Sequence, residues 1–177
     1  MIETCLLPRR IGPQELVYQD PFQRLYRVVV EFDGFAKEYY VSDRGQRAAL
    51  LVVRNNDEVL FVRQYRLLVN GIALEIPGGK VDEGENPEAA AIRECLEETG
   101  IQCSNLKQLI SFHPSLEIWR NHTHIFYSNE FEVIATDDLN RRVWIPFVYC
   151  IEMIFSQKIV DSLSIIALLA YRMKSKQ

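Results

Sequence analysis

The chain has little of what marks several large classes of protein. Its 177 residues include four cysteines and three histidines, and no C-x-x-C pair or zinc-finger spacing occurs. The apolar runs are far shorter than the roughly 20 residues that span a bilayer. Pro8, Arg9 and Arg10 stand where a signal peptide needs an apolar stretch. We therefore expect reduced thiols, a cytoplasmic location and no membrane partner.

The charge balance argues against a further class. A formal net charge of −4 gives no reason to expect a nucleic acid bound through its phosphates. The total conceals a local excess, because seven of the 24 acidic residues lie between Asp82 and Glu98. Such clustering fits a cation site better than an evenly acidic surface.

Alternation of apolar and polar residues predicts a series of strands, and the chain shows no internal repeat. The predicted strands cover 25–32, 37–42, 46–53, 58–64, 72–76, 105–112, 123–132 and a last one at 143–149 that runs into a short helix. Asp33-Gly34 predicts the turn between the first two strands. Pro77-Gly78-Gly79 ends a later strand and opens a loop that continues to Asn86.

Two helices complete the predicted order. Asn86 is a good N-cap, Pro87 suits the first helical position, and Gly100 supplies a left-handed residue after the end. These signals predict a helix over Pro87 to Thr99, and a second follows at 161–174. Strands, loop, helix, strands and helix in this order favour an α+β domain layered around a mixed sheet.

Three carboxylates crowd the end of the first predicted helix. Glu94 and Glu98 are four residues apart and share a face, with Glu97 beside them. Their charges repel each other and oppose the helix macrodipole, which is negative at this end. Arg93 can pair with Glu97 but cannot neutralise three carboxylates. A hard divalent cation with oxygen ligands can, and Mg²⁺ is the natural choice. The alternative is a solvated acidic face, which leaves Gly78-Gly79 unexplained.

The segment from Gly79 to Ile101 resembles the Nudix box, G-x5-E-x7-R-E-U-x-E-E-x-G-U with U apolar. All seven fixed letters match, and Cys95 occupies an apolar position, where cysteine behaves as a small hydrophobe. The resemblance implies the Nudix fold, an α/β/α sandwich around a mixed sheet, and a hydrolase dependent on Mg²⁺, with Mn²⁺ as a possible substitute. It also implies catalytic and metal-binding roles for Arg93, the three carboxylates and the residue before the box.

Those implied roles differ from residue to residue. Glu94 and Glu98 would bind the metal directly, together with the backbone carbonyl of Gly78. Glu97 would bind a second metal or orient the attacking water, and Arg93 would hold Glu97 in place. Glu85, the remaining box carboxylate, would pair across the loop or reach a metal through water.

Two further segments resemble the Nudix subgroup that hydrolyses ADP-ribose and nucleotide sugars. They are Phe61 to Arg66, reading FVRQYR, and Leu74 to Gly79, reading LEIPGG. Arg63 and Arg66 are substrate-binding candidates, since a guanidinium suits a diphosphate or ribose. Glu75 is a third, through a substrate amine or hydroxyl. The alternatives are surface arginines and an ion pair beneath the loop.

Other positions separate this chain from the subgroup. Leu116 stands where the subgroup usually has a proline, which leaves open whether ADP-ribose or a nucleotide sugar is preferred. Nearby, Glu117 is a candidate substrate or metal-site residue, or an ordinary loop residue. Asp137 and Asp138 lie where the subgroup often keeps a late catalytic acid, and a simple turn is the alternative.

The resemblance also bears on domains and partners. Residues 1–44 precede the hydrolase domain at 45–177, and in the subgroup such an N-terminal β extension packs on a twin subunit. Its aromatic residues would otherwise alternate within the core of a hairpin. We expect a homodimer and a small nucleotide as substrate. The other functions considered are hydrolysis of a different nucleotide, such as a dinucleoside polyphosphate, a coenzyme or an oxidised dNTP, and non-catalytic nucleotide sensing.

Overall fold

A computed structural model describes residues 7–55, 57–136 and 140–174. The chain divides into two compact units. The first contains the described residues through Gln46 and the segment His113–His122, and the second contains Arg47–Phe112 and the described residues from Thr123 onwards. The whole segment from Gly79 to Ile101 therefore belongs to the second unit. The division predicted at residue 44 remains a prediction.

The strands and helices are numbered along the chain. The described strands are β1 (Arg10–Ile11), β2 (Glu15–Gln19), β3 (Arg24–Phe32), β4 (Phe35–Asp43), β5 (Arg47–Arg54), β6 (Glu58–Arg66), β7 (Gly71–Glu75), β8 (Gly78–Lys80), β9 (Ile101–Ser104), β10 (Lys107–Phe112), β11 (Trp119–Arg120), β12 (Thr123–Ser128), β13 (Glu130–Val133) and β14 (Arg142–Pro146). The described helices are α1 (Pro87–Thr99), α2 (Phe147–Phe155) and α3 (Ser162–Lys174), and a 3₁₀ turn covers Leu67–Val69.

The first unit is a small sheet built on one hairpin. β3 and β4 pair antiparallel around Asp33 and Gly34, and Gly34 has a φ of 86°, which glycine adopts without strain. β1 and β2 add to β3 antiparallel, and β11 adds to β4 in parallel. The predicted hairpin is confirmed.

The second unit is a mixed sheet with helices on both faces. Its strand order is β10-β12-β5-β6-β14, with β7 on β6 and β8 on β5, and β12 runs parallel to β5. On one face, Ala49, Leu51 and Val53 of β5 pack in a cluster that includes residues of α2 and α3. On the other face, the alternate residues of β5 pack against residues of α1. The predicted sandwich is confirmed, and β5 is its central strand.

Helix α1 begins and ends where its sequence signals predict. The Asn86 side chain accepts a 2.8 Å hydrogen bond from the Glu88 N–H, which satisfies one of the free donors of the first turn. Gly100, with a φ of 68°, ends the helix, and its N–H donates to the Leu96 carbonyl at 2.7 Å. The small residues Ala90 and Ala91 are fully buried on the sheet side and allow close packing.

Two strand predictions were wrong in detail. The single strand predicted over 123–132 is two strands, since β12 pairs with β5 and β10 whereas β13 pairs with β9. The Ser128 hydroxyl marks the break by donating to the Ser104 carbonyl at 2.6 Å. Gly78 and Gly79 form β8 rather than a loop, because their backbone pairs with β5.

None of the helices in the described residues is long and apolar enough to cross a membrane.

Candidate active site

Arg93 is the hub of the polar groups on α1. Its Nε and Nη2 atoms donate to the two Glu85 carboxylate oxygens, both at 2.9 Å. Its Nη1 donates to Glu94 at 2.8 Å and approaches Glu97 only to 3.5 Å. Arg93 also donates to the Lys80 carbonyl at 3.0 Å, which ties the helix to β8. The expected pair with Glu97 is therefore the longest of these hydrogen bonds.

Glu85 closes the loop that leads into α1. The fork from Arg93 is the main reason that the pKa of Glu85 falls to about 2, and a hydrogen bond from the Asp82 N–H lowers it further. The same pairing raises the pKa of Arg93. Both groups are ionised across the physiological pH range, so a bidentate salt bridge holds the loop to the helix.

Glu98 lies one turn further along α1 in a different environment. The Gln64 amide donates to its Oε1 at 2.5 Å, and the Gly78 N–H donates to its Oε2 at 3.0 Å. Burial raises the pKa of Glu98, and the charges of Glu94 and Glu75 raise it further. The two donors are neutral, so they orient this carboxylate without cancelling its charge.

The remaining two carboxylates of α1 differ in exposure. Glu94 has a side chain only 17% exposed, whereas Glu97 is 58% exposed. A Cβ built at Gly79 would overlap the Glu94 carboxylate, so the glycine gives this side chain its room. Arg93 thus engages Glu94 more closely than Glu97. Like charges repel, and Arg93 draws Glu94 towards itself.

The neighbouring strands bring a second ion pair to the same unit. Arg66 at the end of β6 holds Glu75 of β7 through two contacts, of 2.7 and 2.5 Å. Glu75 is the main cause of the raised pKa of Arg66, and the charges of Asp161 and Glu98 contribute. Residues two apart on a strand share a face, so Gln64 and Arg66 lie on one side of β6.

Arg63 occupies the opposite side of β6 from those two residues. Its guanidinium donates to the Asn140 carbonyl at 3.0 Å, and its backbone N–H donates to the Arg141 carbonyl at 2.9 Å. The structure therefore groups Arg66 and Glu75 with Glu98, and it gives Arg63 separate contacts.

Two candidates remain, Glu117 and Asp138. Glu117 belongs to the first unit, where the Lys37 amino group donates to it at 2.8 Å and lowers its pKa. Asp138, like Asp137, lies outside the described residues, so its role stays a sequence-based expectation.

The carboxylates of α1 offer oxygen ligands to a metal ion. Within residues 7–55, 57–136 and 140–174, no three Asp, Glu, His or Cys side chains stand close enough together to share one. The donors are nevertheless hard oxygen ligands, and Glu94 acts on the pKa of Glu98 through its charge. Gly79, which has no side chain, also leaves the space that the Glu94 carboxylate occupies. The donor chemistry fits a hard divalent cation such as Mg²⁺.

A comparison with family models decides the family. The NUDIX domain model matches residues 44–147. The chain belongs to the Nudix family. This match covers β5 to β14 and all of α1. The resemblance of the Gly79–Ile101 segment to the Nudix box is therefore confirmed. The expected enzyme type, a Nudix hydrolase, is confirmed at the level of the family.

Similar Nudix proteins include enzymes named for two substrate types. The chain is 30% identical to an ADP-ribose pyrophosphatase of Bacillus subtilis over 122 residues, which are 68% of this chain and 66% of that protein. It therefore spans just under two thirds of that relative. It is 32% identical to a GDP-mannose pyrophosphatase of Yersinia enterocolitica over 143 residues, 72% of this chain and 74% of the relative.

A solved structure shares the Nudix fold. The structure titled as an ADP compounds hydrolase superposes with a TM-score of 0.84 at 19% identity, covering 98% of this chain and 97% of the other. At that identity the likeness establishes the fold.

Sequence reasoning missed one polar residue next to the box. Gln64 stands between two candidate arginine positions in the FVRQYR segment, and strand alternation places it on the side of Arg66. That alternation was the available signal. The partner, Glu98, is 34 residues away, so the contact itself depends on the packing of α1 against the sheet.

Proposed function

We propose that this Nudix protein hydrolyses the diphosphate bond of nucleoside-diphosphate-X compounds in a reaction that depends on Mg²⁺. ADP-ribose and nucleotide sugars are the preferred substrates. The products are a nucleoside monophosphate and a phosphorylated X. The names of the relatives support this substrate class, as does the resemblance of the segments FVRQYR and LEIPGG to the subgroup.

One observation carries the proposal. The half-buried Glu98 accepts a hydrogen bond from Gln64, which lies on the same side of β6 as Arg66, and Arg66 is paired with Glu75. A cation beside a set of carboxylates is what a metal-chelated diphosphate requires. The carboxylates bind the metal, and the guanidinium binds phosphate oxygens.

The roles of the chain's own residues follow from their surroundings. Glu75 uses both oxygens to orient Arg66, whose guanidinium has five N–H donors, so donors remain for the diphosphate. Arg93 holds the loop through Glu85 and steadies Glu94. Gln64 and the Gly78 N–H fix the direction of the Glu98 carboxylate.

The same proposal assigns the metal-facing groups. Glu94, Glu98 and the Gly78 carbonyl would hold Mg²⁺, with Glu97 as a ligand for a second ion. When bound, the cation supplies positive charge for the diphosphate and eases deprotonation of the attacking water. Alternatively, Glu97, which is exposed and only weakly engaged by Arg93, would orient that water and accept its proton. Water adds to one phosphorus as the bridging P–O bond breaks, and the other phosphate leaves.

We further propose a cytoplasmic homodimer that pairs through the first unit. Five residues of β2 are exposed, three of them apolar or aromatic, namely Leu16, Val17 and Tyr18. Phe22 is 81% exposed and Phe35 is 59% exposed. Light scattering at micromolar concentration tests the proposal, and a monomeric mass contradicts it.

The activity is tested with a panel of substrates. ADP-ribose, GDP-mannose and UDP-glucose are incubated with the protein in Mg²⁺ or Mn²⁺, and phosphate is measured after adding a phosphatase that acts only on the products. We expect kcat/KM for at least one of these to exceed that for dGTP and 8-oxo-dGTP. Excess EDTA should abolish turnover, and added Mg²⁺ should restore it.

Two results would contradict different parts of the proposal. Full turnover in EDTA contradicts the metal requirement. A preference for dGTP or 8-oxo-dGTP over every diphosphate compound contradicts the substrate class and leaves Nudix chemistry in place.

A further inference from the structure

Three residues just before the Nudix box are each held by a different element. The Ile76 N–H donates to the Ser164 hydroxyl at 3.0 Å, and the Pro77 carbonyl accepts from the Leu50 N–H at 2.9 Å. The Gly78 N–H donates to Glu98 at 3.0 Å. The segment Ile76–Gly78 is therefore fixed by α3, by β5 and by the box helix α1.

The contact with Ser164 is the unexpected one of the three. Ser164 lies in the first turn of α3, is fully buried, and is 88 residues from Ile76. Its hydroxyl donates to the Asp161 carboxylate at 2.7 Å, and its backbone N–H donates to the same oxygen at 2.8 Å. A hydroxyl has one proton, so with that proton on Asp161 only its lone pairs face the Ile76 N–H. The direction of each bond in this chain is fixed.

The position of Ile76 is transmitted to Gly78 over a short path. Only Pro77 lies between them, and its ring locks φ, which removes one of the few torsions that could absorb a shift. Gly78 also lies so close to β5 that a Cβ built on it would overlap the Ala48 carbonyl and Ala49, so a shift of the segment finds little free space on that side. A displacement at Ile76 therefore reaches the Gly78 N–H and the Glu98 carboxylate that it orients.

We propose that Ser164, oriented by Asp161, is a positioning residue that places Gly78 and Glu98 for metal binding. The inference rests on the proposed function, since it assigns C-terminal helix α3 a part in the same site. It predicts that loss of the Ser164 hydroxyl weakens the metal site more than its effect on stability accounts for.

The test compares three variants. Ser164→Ala removes the hydroxyl and leaves the buried Ile76 N–H without its acceptor. Ser164→Thr keeps the hydroxyl and adds a methyl group in a buried position. Ala167→Gly is the matched control, because glycine destabilises α3 and Ala167 packs in the same apolar cluster as Ile76, yet the Ser164–Ile76 hydrogen bond is kept. Melting temperature, Mn²⁺ binding by electron paramagnetic resonance, and the Mg²⁺ concentration for half-maximal kcat are measured for each.

We expect Ser164→Ala to weaken Mn²⁺ binding about 10-fold, the scale of losing a group that orients a metal ligand. The Mg²⁺ concentration for half-maximal kcat should rise in parallel. Ala167→Gly should lower the melting temperature and leave Mn²⁺ affinity at the wild-type value. Ser164→Thr should retain wild-type Mn²⁺ affinity even where its melting temperature falls.

Two outcomes overturn the inference and can be told apart. If the wild type binds Mn²⁺ and Ser164→Ala binds it equally well, Ser164 is a structural residue and the proposed function stands. If the wild type neither binds Mn²⁺ nor hydrolyses any diphosphate compound, the proposed function fails and the inference fails with it.

Discussion

The two ends of helix α1 are built on opposite principles. At its start, Asn86 caps the helix, Pro87 needs no hydrogen-bond partner for its nitrogen, and Glu88 places a negative charge where the macrodipole is positive. At its other end, Glu97 and Glu98 add negative charge where the macrodipole is negative, and no basic residue lies in the last turn.

The difference separates stability from function within one helix. The first half follows the rules that stabilise an isolated helix, and its Ala90 and Ala91 pack against the sheet. The second half breaks those rules and has to be compensated by groups outside the helix, such as Gln64 and the Gly78 N–H at Glu98. Departures of this kind are expected at functional sites, where the local sequence is chosen for something other than the fold.

The largest expected effect comes from neutralising the end of the helix. Glu98→Gln and Glu97→Gln should each lower kcat by at least about 100-fold, the scale of losing one catalytic electrostatic group. Folding should survive, because each change removes a charge that repels its neighbours and opposes the macrodipole. Activity with ADP-ribose and thermal melts measure the two effects.

The same two variants test whether the acidic end of α1 serves function rather than stability. Wild-type kcat in both, beside unchanged melts, would mean that the acidic end is only a solvated face. A large fall in melting temperature without loss of kcat would mean that these carboxylates stabilise the fold.

An intermediate effect is expected at Gln64. Gln64→Ala removes the donor at the Glu98 Oε1 and leaves the Gly78 N–H as the remaining donor on that carboxylate among the described contacts. We expect kcat to fall about 10-fold at limiting Mg²⁺ and the loss to shrink as Mg²⁺ is raised, because the ligand is disordered rather than removed. Tyr65→Phe, on the opposite side of β6, is the control. Equal Mg²⁺ dependence in wild type and Gln64→Ala would show that the contact is incidental.

Local signals in the sequence were sufficient for α1 and for the central strands. Asn86, Pro87 and Gly100 are adjacent to the backbone groups that they satisfy, so the bounds of α1 follow from a short window. The β strand at Gly78–Lys80 and the contact of Ser164 with Ile76 were not predicted. Each depends on a partner far along the chain, and a glycine pair reads locally as a loop. The shorter contact of Arg93 with Glu94 was not predicted, because helical spacing indicates the possible pair with Glu97 but not which carboxylate Arg93 engages more closely.

The smallest expected effect lies at the start of α1. Asn86→Ala removes the acceptor for the Glu88 N–H and should destabilise the protein by about 1 kcal/mol. For a chain of this size that corresponds to a melting temperature lower by about 2–4 °C. kcat should stay at the wild-type value, and Asn86→Asp, which keeps a capping oxygen, should melt like the wild type. Loss of activity in Asn86→Ala without a change in melting temperature would contradict the assignment of stability to the start of α1 and function to its end.

The central strand β5 carries a consequence for folding. Its six buried residues are three like pairs, Ala48-Ala49, Leu50-Leu51 and Val52-Val53, and the members of each pair face opposite sides of the sheet. A slip of β5 by one residue would keep alanine, leucine and valine in place on one face of the sheet. On the other face it would exchange unlike residues and bring Arg47 or Arg54, at the two ends of the strand, into a buried position. The strand that supports the active site is therefore held in register by the arginines at its ends, by the parallel ladder with β12 and by the close approach of Gly78.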